Sequence, residues 1–272
     1  MQIHQIGDVT VLNDFAPVPG FGGAPPLFLP VNAFVLHAEH PVVIDTGLSA
    51  TDKDFVAALA QVLDPADVRW IWITHPDRDH TGGLLKLLEA APQARLVTTF
   101  LGLGIMSTEW TLPLDRLYLL NPGQTLDVGD RRLHCFRPPL FDSPSTTGFL
   151  DDRTGALFSS DCFGAPMPSL ELATSADVRA VGDEVRDLQL LWATIDSPWV
   201  HNVDPERFRA TVDPLRALGA SAVFSSHLPP VPQPDDRLFD TVLLAPQTGP
   251  FVGPDQQALE ALLATFEPAA AV

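Results

Sequence analysis

Basic residues are the first scarcity. The 272-residue chain carries 16 Lys and Arg against 34 Asp and Glu, a formal charge of −18. A field of that sign repels phosphate backbones and anionic lipid, and no Lys/Arg cluster counters it. Nucleic acid is therefore not expected as a partner. Long apolar runs are missing too: no stretch approaches the ~20 residues that a membrane-spanning helix needs, so no membrane partner is expected. Residues 1–5 lack the basic and apolar regions of a secretory leader, which makes the cytoplasm the expected compartment. Cysteine is nearly absent. Cys135 and Cys162 cannot make a disulfide framework, and two thiols are consistent with a reducing environment.

What is present suffices for a large core. The chain is 46% hydrophobic and 18% charged, which fits one α/β domain over residues 1–272. Short β-like runs stand at 9–12, 33–36 and 42–44. The Pro- and Gly-rich stretch 17–30 between the first two is expected to be irregular. A helix opened by Thr51 or Asp52 should carry Phe55, Leu59, Val62 and Leu63 on one face. Residues 69–74 make a buried strand that runs into His75, and a helix follows from Gly82 to near Pro92. Further strands are expected at 95–99, 125–128, 132–136, 147–150 and 156–159, with a hairpin turn at 151–155. The second half is more helical. Helices are expected at 176–193, at 204–219 with a kink or break at Pro214, and at 256–266; a strand at 221–224 delivers His227. This order suggests sheets sandwiched between helices.

The chemistry concentrates at strand ends, in His75, Asp77, Asp79, His80, Asp161 and His227. In the loop 75–80 the alternation lets His75, Asp77 and Asp79 converge while Pro76 and Arg78 point away. So many anions and imidazoles within six residues are costly unless cations neutralise them. Two metal ions would do so, and a carboxylate such as Asp161 can bridge them. Bound water between such ions has its pKa lowered towards about 7.

Strand–His-x-Asp-x-Asp-His–Gly-Gly–helix resembles the signature loop of the metallo-β-lactamase superfamily. Asp45-Thr46-Gly47 and Ser226-His227 are similar to its other landmarks, and the resemblance runs from about residue 9 to residue 230. It implies a four-layer αββα sandwich with the metal site at one edge of the two sheets. Within the superfamily the chain resembles the oxygen-binding di-iron branch found in flavodiiron proteins. Asp79 is followed after 62 residues by Asp142, and that after 18 by Asp161, the branch's ligand spacing. The segment 157–164 is also similar to the branch's stretch around its bridging aspartate. Two positions depart: Asp77 stands where the branch has Glu, and Asp142 where nearly the whole superfamily has His. No flavodoxin-like domain is expected after the metal domain.

The resemblance implies His75, Asp77, Asp79, His80, Asp142, Asp161 and His227 as metal residues. All of them except Asp142 are expected to take part in the chemistry. Asp142 is either a ligand or part of an Asp-Ser-Pro turn. A carboxylate-rich set favours iron, with zinc and manganese as the other candidates. Asp45 is a turn former or a carboxylate that orients a ligand. His201 is a proton donor near the metals or a surface histidine. Cys162, His134 and the tryptophans at 70, 72, 110 and 192 read as packing or pocket wall, and Arg78 as a partner for the acidic loop. Stretches 17–30 and 101–113 are apolar enough to wall a pocket.

Three functions fit. One is a di-iron protein that binds or reduces oxygen or nitric oxide with electrons from a separate partner. Another is a metal-dependent hydrolase of an ester, thioester, lactone or amide. The third is a degenerate metal-binding member without catalysis. Expected partners are a small-molecule substrate or diatomic gas, the redox partner, and a second copy of the chain in a homodimer.

Overall fold

The computed structural model describes residues 1–20, 22–49 and 54–265. The first half is a meander that turns into parallel crossovers. Strands β1 (Gln2–Ile6), β2 (Val9–Val18), β3 (Leu27–Leu36) and β4 (Val42–Ile44) pair antiparallel in sequence order. Helix α1 (Phe55–Leu59) leads to β5 (Trp70–Trp72). The short α2 (Arg78–Thr81) and α3 (Leu84–Ala90) lead to β6 (Arg95–Thr98), and α4 (Phe100–Met106) to β7 (Leu117–Leu119). From β4 to β7 every pairing is parallel.

The second half forms a six-stranded sheet of its own. Strands β8 (Thr125–Asp127), β9 (Arg132–Phe136), β10 (Gly148–Asp151) and β11 (Ala156–Phe158) pair antiparallel. The chain then passes through α5 (Leu170–Ala173), α6 (Val185–Asp196) and α7 (Pro205–Ala217). It returns as β12 (Ala222–Phe224), parallel to β11, and adds β13 (Val231–Pro232). Helices α8 (Asp236–Leu244) and α9 (Gln256–Leu263) follow.

Alternation along the strands sorts the side chains into layers. Val42, Ile44 and Trp72 of the first sheet meet Phe149, Phe158 and Phe224 of the second in the central core. Val43, Ile71 and Ile73 point the other way, onto Phe55 and Leu59 of α1 and Leu84 and Leu87 of α3. Leu157 and Val223 likewise leave the second sheet outward towards Phe208 and Val212 of α7 and Phe239 of α8. Helices therefore cover the outer face of each sheet, and the expected αββα sandwich is the observed architecture.

Several expectations need correction. Residues 17–18 and 27–30 are not irregular: β2 and β3 stay in register from Val9↔Leu36 out to Val18↔Leu27, through Pro17 and Pro30, and the described residues between 18 and 27 form the expected irregular connection. Cross-strand pairing over ten residues outweighs the local Pro and Gly content. The stretch 176–193 is not one helix, because Gly182, at φ +76°, breaks it into 3₁₀ turns at Val178–Ala180 and Gly182–Glu184 before α6 begins. Pro214 does not break α7, which runs as one helix from an Asp204 cap. Helix formation after His75 begins at Arg78, earlier than Gly82, with Asp77 as the cap residue. Thr51 and Asp52 lie outside the described residues; α1 is capped by Asp54, whose carboxylate accepts from the Ala57 amide.

Candidate metal centre

Parallel strands deliver their C-terminal ends to one edge of the sandwich, and the polar residues follow those ends. Asp45 succeeds β4, His75 succeeds β5, Asp161 succeeds β11 and His227 succeeds β12. Asp77, Asp79 and His80 lie on or just before α2, and Asp142 lies in the connection from β9 to β10.

The donors divide into two sets around Asp161. Its Oδ2 is 3.3 Å from His75 Nε2, which is also 3.6 Å from Asp142 Oδ1. Its Oδ1 is 3.2 Å from His80 Nε2 and 3.3 Å from His227 Nε2. Asp79 Oδ2 lies 3.3 Å from His227 Nε2 and 3.8 Å from His80 Nε2. One set thus holds His75, Asp77 and Asp142, the other Asp79, His80 and His227, with Asp161 facing both. His75, Asp77 and Asp79 do not converge on one point as alternation suggested. Residues 78–81 turn helically, so the adjacent Asp79 and His80 reach the same set.

The three imidazoles are held so that each Nε2 faces this space. His80 Nδ1–H donates to Asp45 Oδ2 at 2.8 Å, and His227 Nδ1–H donates to the Pro30 carbonyl at 2.7 Å. Ser160 spends its proton on Thr74 Oγ1, and Thr74 donates in turn to Asp45. The Ser160 oxygen is then left to accept from His75 Nδ1–H, at 3.2 Å. In the neutral rings each Nε2 therefore turns a lone pair towards carboxylate oxygens that are themselves acceptors, an opposition that only a proton or a cation relieves. His75 Nε2, His80 Nε2 and Asp161 Oδ1 are buried without hydrogen-bond partners. Cations between lone pairs resolve that arrangement, and the residues present fit two metal ions.

The electrostatics agree. Burial opposes charge on Asp161 and Asp79, yet the surrounding histidines outweigh it and hold both carboxyls well below their usual range. Burial disfavours imidazolium as well, but Asp161 raises His80 well above its ordinary value and brings His227 to about 9. Burial lowers His75. Burial raises Asp77 against the pull of His75, and raises Asp142 with help from Asp161. The centre holds more anions than its own cations can balance.

Asp45 sits at φ +55° with its side chain fully buried and accepts from the Thr74 amide and hydroxyl as well as from His80. Of the two readings of Asp45, this is the orienting one. Asp196, at the end of α6, was not apparent in the sequence. Its carboxylate lies within 4.8 Å of those of Asp142 and Asp161, and burial and these two anions push its pKa up to about 8. No spacing motif marks it, because a helix end far along the chain brings it in. Trp192 packs its ring 4.9 Å from that of His227 and donates Nε1–H to the Asp161 carbonyl.

Other expected residues lie elsewhere. His201 is half-buried in the 3₁₀ turn Pro198–Asn202 and belongs to none of the metal-competent groups among the described residues. Cys162 is buried, and burial raises its thiol. His134 faces Asp152 at 3.4 Å on the second sheet. Arg78 does not pair with the loop carboxylates. It reaches Glu109 at 2.8 Å and lies over the Trp110 ring, because α4 and its following turn approach it from outside. A cleft of about 240 Å³ opens there beside Asp77, walled by Pro76, Ile105, Met106, Thr108 and Trp110. The stretch 101–113 contributes to this wall and 17–30 does not.

Residues 26–99 match the family described as the metallo-beta-lactamase superfamily. Anaerobic nitric oxide reductase flavorubredoxin from Salmonella arizonae is 27% identical over 182 residues, 64% of this chain and 36% of the relative. The rubredoxin oxygen:oxidoreductase of Desulfovibrio gigas superposes with a TM-score of 0.72 at 18% identity, covering 90% of this chain and 60% of that one. The flavodiiron protein of Giardia intestinalis gives 0.70 at 15%, covering 90% and 58%. The chain thus spans little more than a third of the curated relative and about 60% of the solved chains. Among the described residues no helix is long and apolar enough to cross a membrane.

Proposed function

We propose, from the premise that this chain carries a metallo-β-lactamase domain with the fold of the flavodiiron proteins, that it is a di-iron reductase of oxygen or nitric oxide. The observation that carries this reading is Asp161, whose two oxygens face two separate donor sets, each completed by carboxylate as well as imidazole. In our reading His75, Asp77 and Asp142 hold one ion, Asp79, His80 and His227 the other, and Asp161 lies between them. Such oxygen-rich sets suit iron or manganese better than imidazole-rich ones do. Iron, when bound, supplies the electron transfer to the diatomic substrate.

The chain's own residues supply position and exclusion. Asp45, Ser160 and the Pro30 carbonyl fix the three imidazoles, so the donors need not reorganise during turnover. The cleft at Asp77 is small and partly apolar, a size that admits a small molecule at the mouth of the centre. Two named relatives, a nitric oxide reductase and an oxygen:oxidoreductase, favour the redox reading over hydrolysis. Electrons are then expected from a separate carrier, the whole chain acts as one unit, and the cytoplasm and a homodimer fit the same reading.

Metal analysis of protein purified in air, followed by oxygen and nitric oxide uptake with a chemical reductant, tests this. Two iron ions per chain with reductant-dependent gas consumption is the expected result. Two zinc ions with thioester or lactone turnover and no gas consumption would overturn it.

A further inference from the structure

We propose that Asp196 is a metal-ligating carboxylate, acting with Asp142 to complete the position that His75 and Asp77 begin. The inference rests on the two-ion reading above and extends it to a residue that no motif supplies.

The placement carries the argument. Donor atoms of His75, Asp77 and Asp142 lie within 4.8 Å of one another, and so do carboxylate oxygens of Asp142, Asp161 and Asp196. Asp142 belongs to both groupings, and Asp161 faces His75 as well, so an ion beside them has Asp196 within reach of a modest side-chain movement. His75 Nε2, on a side chain 1% exposed, is buried without a hydrogen-bond partner and faces Asp142 Oδ1 and Asp161 Oδ2. It marks the space as one for an electron-pair acceptor. The carboxylate of Asp196 is anchored on one side only, where Ser197 Oγ–H donates to its Oδ2 at 3.0 Å. Among the described residues neither Asp142 nor Asp196 has an Arg or Lys ion pair. Three carboxylates this close, with no Arg or Lys paired to Asp142 or Asp196, call for a cation.

The two metal positions would then differ in kind. One is lined by four carboxylates and a single imidazole, the other by two carboxylates and two imidazoles. The oxygen-rich position takes the harder ion, manganese or ferrous iron, in preference to zinc.

The test is equilibrium dialysis of the full chain against Mn(II), Fe(II) and Zn(II). It compares wild type with Asp196→Ala, the near-isosteric Asp196→Asn, Asp142→His, and the double variant Asp142→His/Asp196→Ala. Far-UV circular dichroism checks that each is folded. We expect Asp196→Ala to weaken one of the two ions by about tenfold or more, Mn(II) more than Zn(II), and to leave the other alone. Asp196→Asn should lose part of that affinity. The loss should shrink in the Asp142→His background, where one imidazole serves the position. Unchanged binding by Asp196→Ala, equal weakening of both ions, or the same loss in both backgrounds would overturn the proposal while leaving the two-ion reading intact. A wild-type chain that binds no metal would overturn that reading itself.

Discussion

The carboxylate of Asp45 and the imidazole of His80 are joined by a 2.8 Å bond between side chains that are no more than 1% exposed. The same carboxylate accepts from Thr74 and, at 3.3 Å, from Ser226, so it ties the ends of β4, β5 and β12. Asp45→Ala should lower affinity for the ion at Asp79, His80 and His227 by about 10–100-fold, as the loss of an outer hydrogen-bond partner of a metal-bound histidine commonly does. Competitive chelator titration would measure it, and unchanged affinity would mean that His80 needs no such support.

Asp161 faces both donor sets, so its loss should not be confined to one. Asp161→Ala should reduce retained metal from two ions per chain towards none, whereas His227→Ala should spare the set at His75. Elemental analysis of the two variants after gel filtration separates these outcomes.

Metal removal should destabilise the fold. An ion that binds only the native chain stabilises it by about 4 kcal/mol when present at roughly a thousand times its Kd. Chelated protein should therefore unfold at a lower temperature in calorimetry, and adding back Fe(II) or Mn(II) should restore the transition. An unchanged transition would argue against native-state ion binding.

A structural ion cluster away from the centre gives a separate prediction. Arg131, 1% exposed, reaches Asp151, Asp130 and Asp8 at 3.0, 2.9 and 3.0 Å. Replacing it with Met strands the fully buried Asp151 carboxylate, and the loss of one partner from a buried pair commonly costs about 3–5 kcal/mol. Hydrogen bonding from Arg131 holds Asp130 well below its ordinary value of 3.8. A depressed carboxylate contributes stability that is complete above its unfolded pKa and is lost as the pH falls below it. Urea midpoints of wild type and Asp130→Asn should thus differ at neutral pH and converge in acid below that value.

Gly82 needs its missing side chain for contact rather than for dihedral freedom. A Cβ there would lie 2.2 Å from the backbone of Leu48 and Ser49, where α2 abuts the chain after β4. Gly82→Ala should destabilise the protein by about 1–3 kcal/mol, the usual cost of overfilling a packed site, and thermal unfolding would register it.

Local signals in the sequence were enough for the edge that carries the site. Residues 69–74, apolar and followed by His75, form the strand and loop expected of them, and the spacing from Asp79 to Asp142 and Asp161 led to residues that the fold brings together. Two kinds of feature escaped. The β2–β3 ladder through Pro17 and Pro30 depends on cross-strand partners that local composition does not report. Asp196 and the Pro30 carbonyl reach the centre through tertiary approach of α6 and β3, with no motif around either. Helices α4 and α8 were also not anticipated; α4 is a short apolar segment whose exposed side lacks the polar residues that reveal helical periodicity.

The division of the chain into two sequential sheets has a consequence for biosynthesis. His75, Asp77, Asp79 and His80 belong to the half that leaves the ribosome first, whereas Asp142, Asp161 and His227 arrive with the second. His227 is oriented by the Pro30 carbonyl from the opposite half, so it cannot take up its place until β12 has docked beside β11. A nascent chain could offer an ion only an incomplete grip. Ion loading on this scaffold should accordingly wait for the second sheet, and a folding intermediate with one sheet formed should lose its metal to any competent chelator.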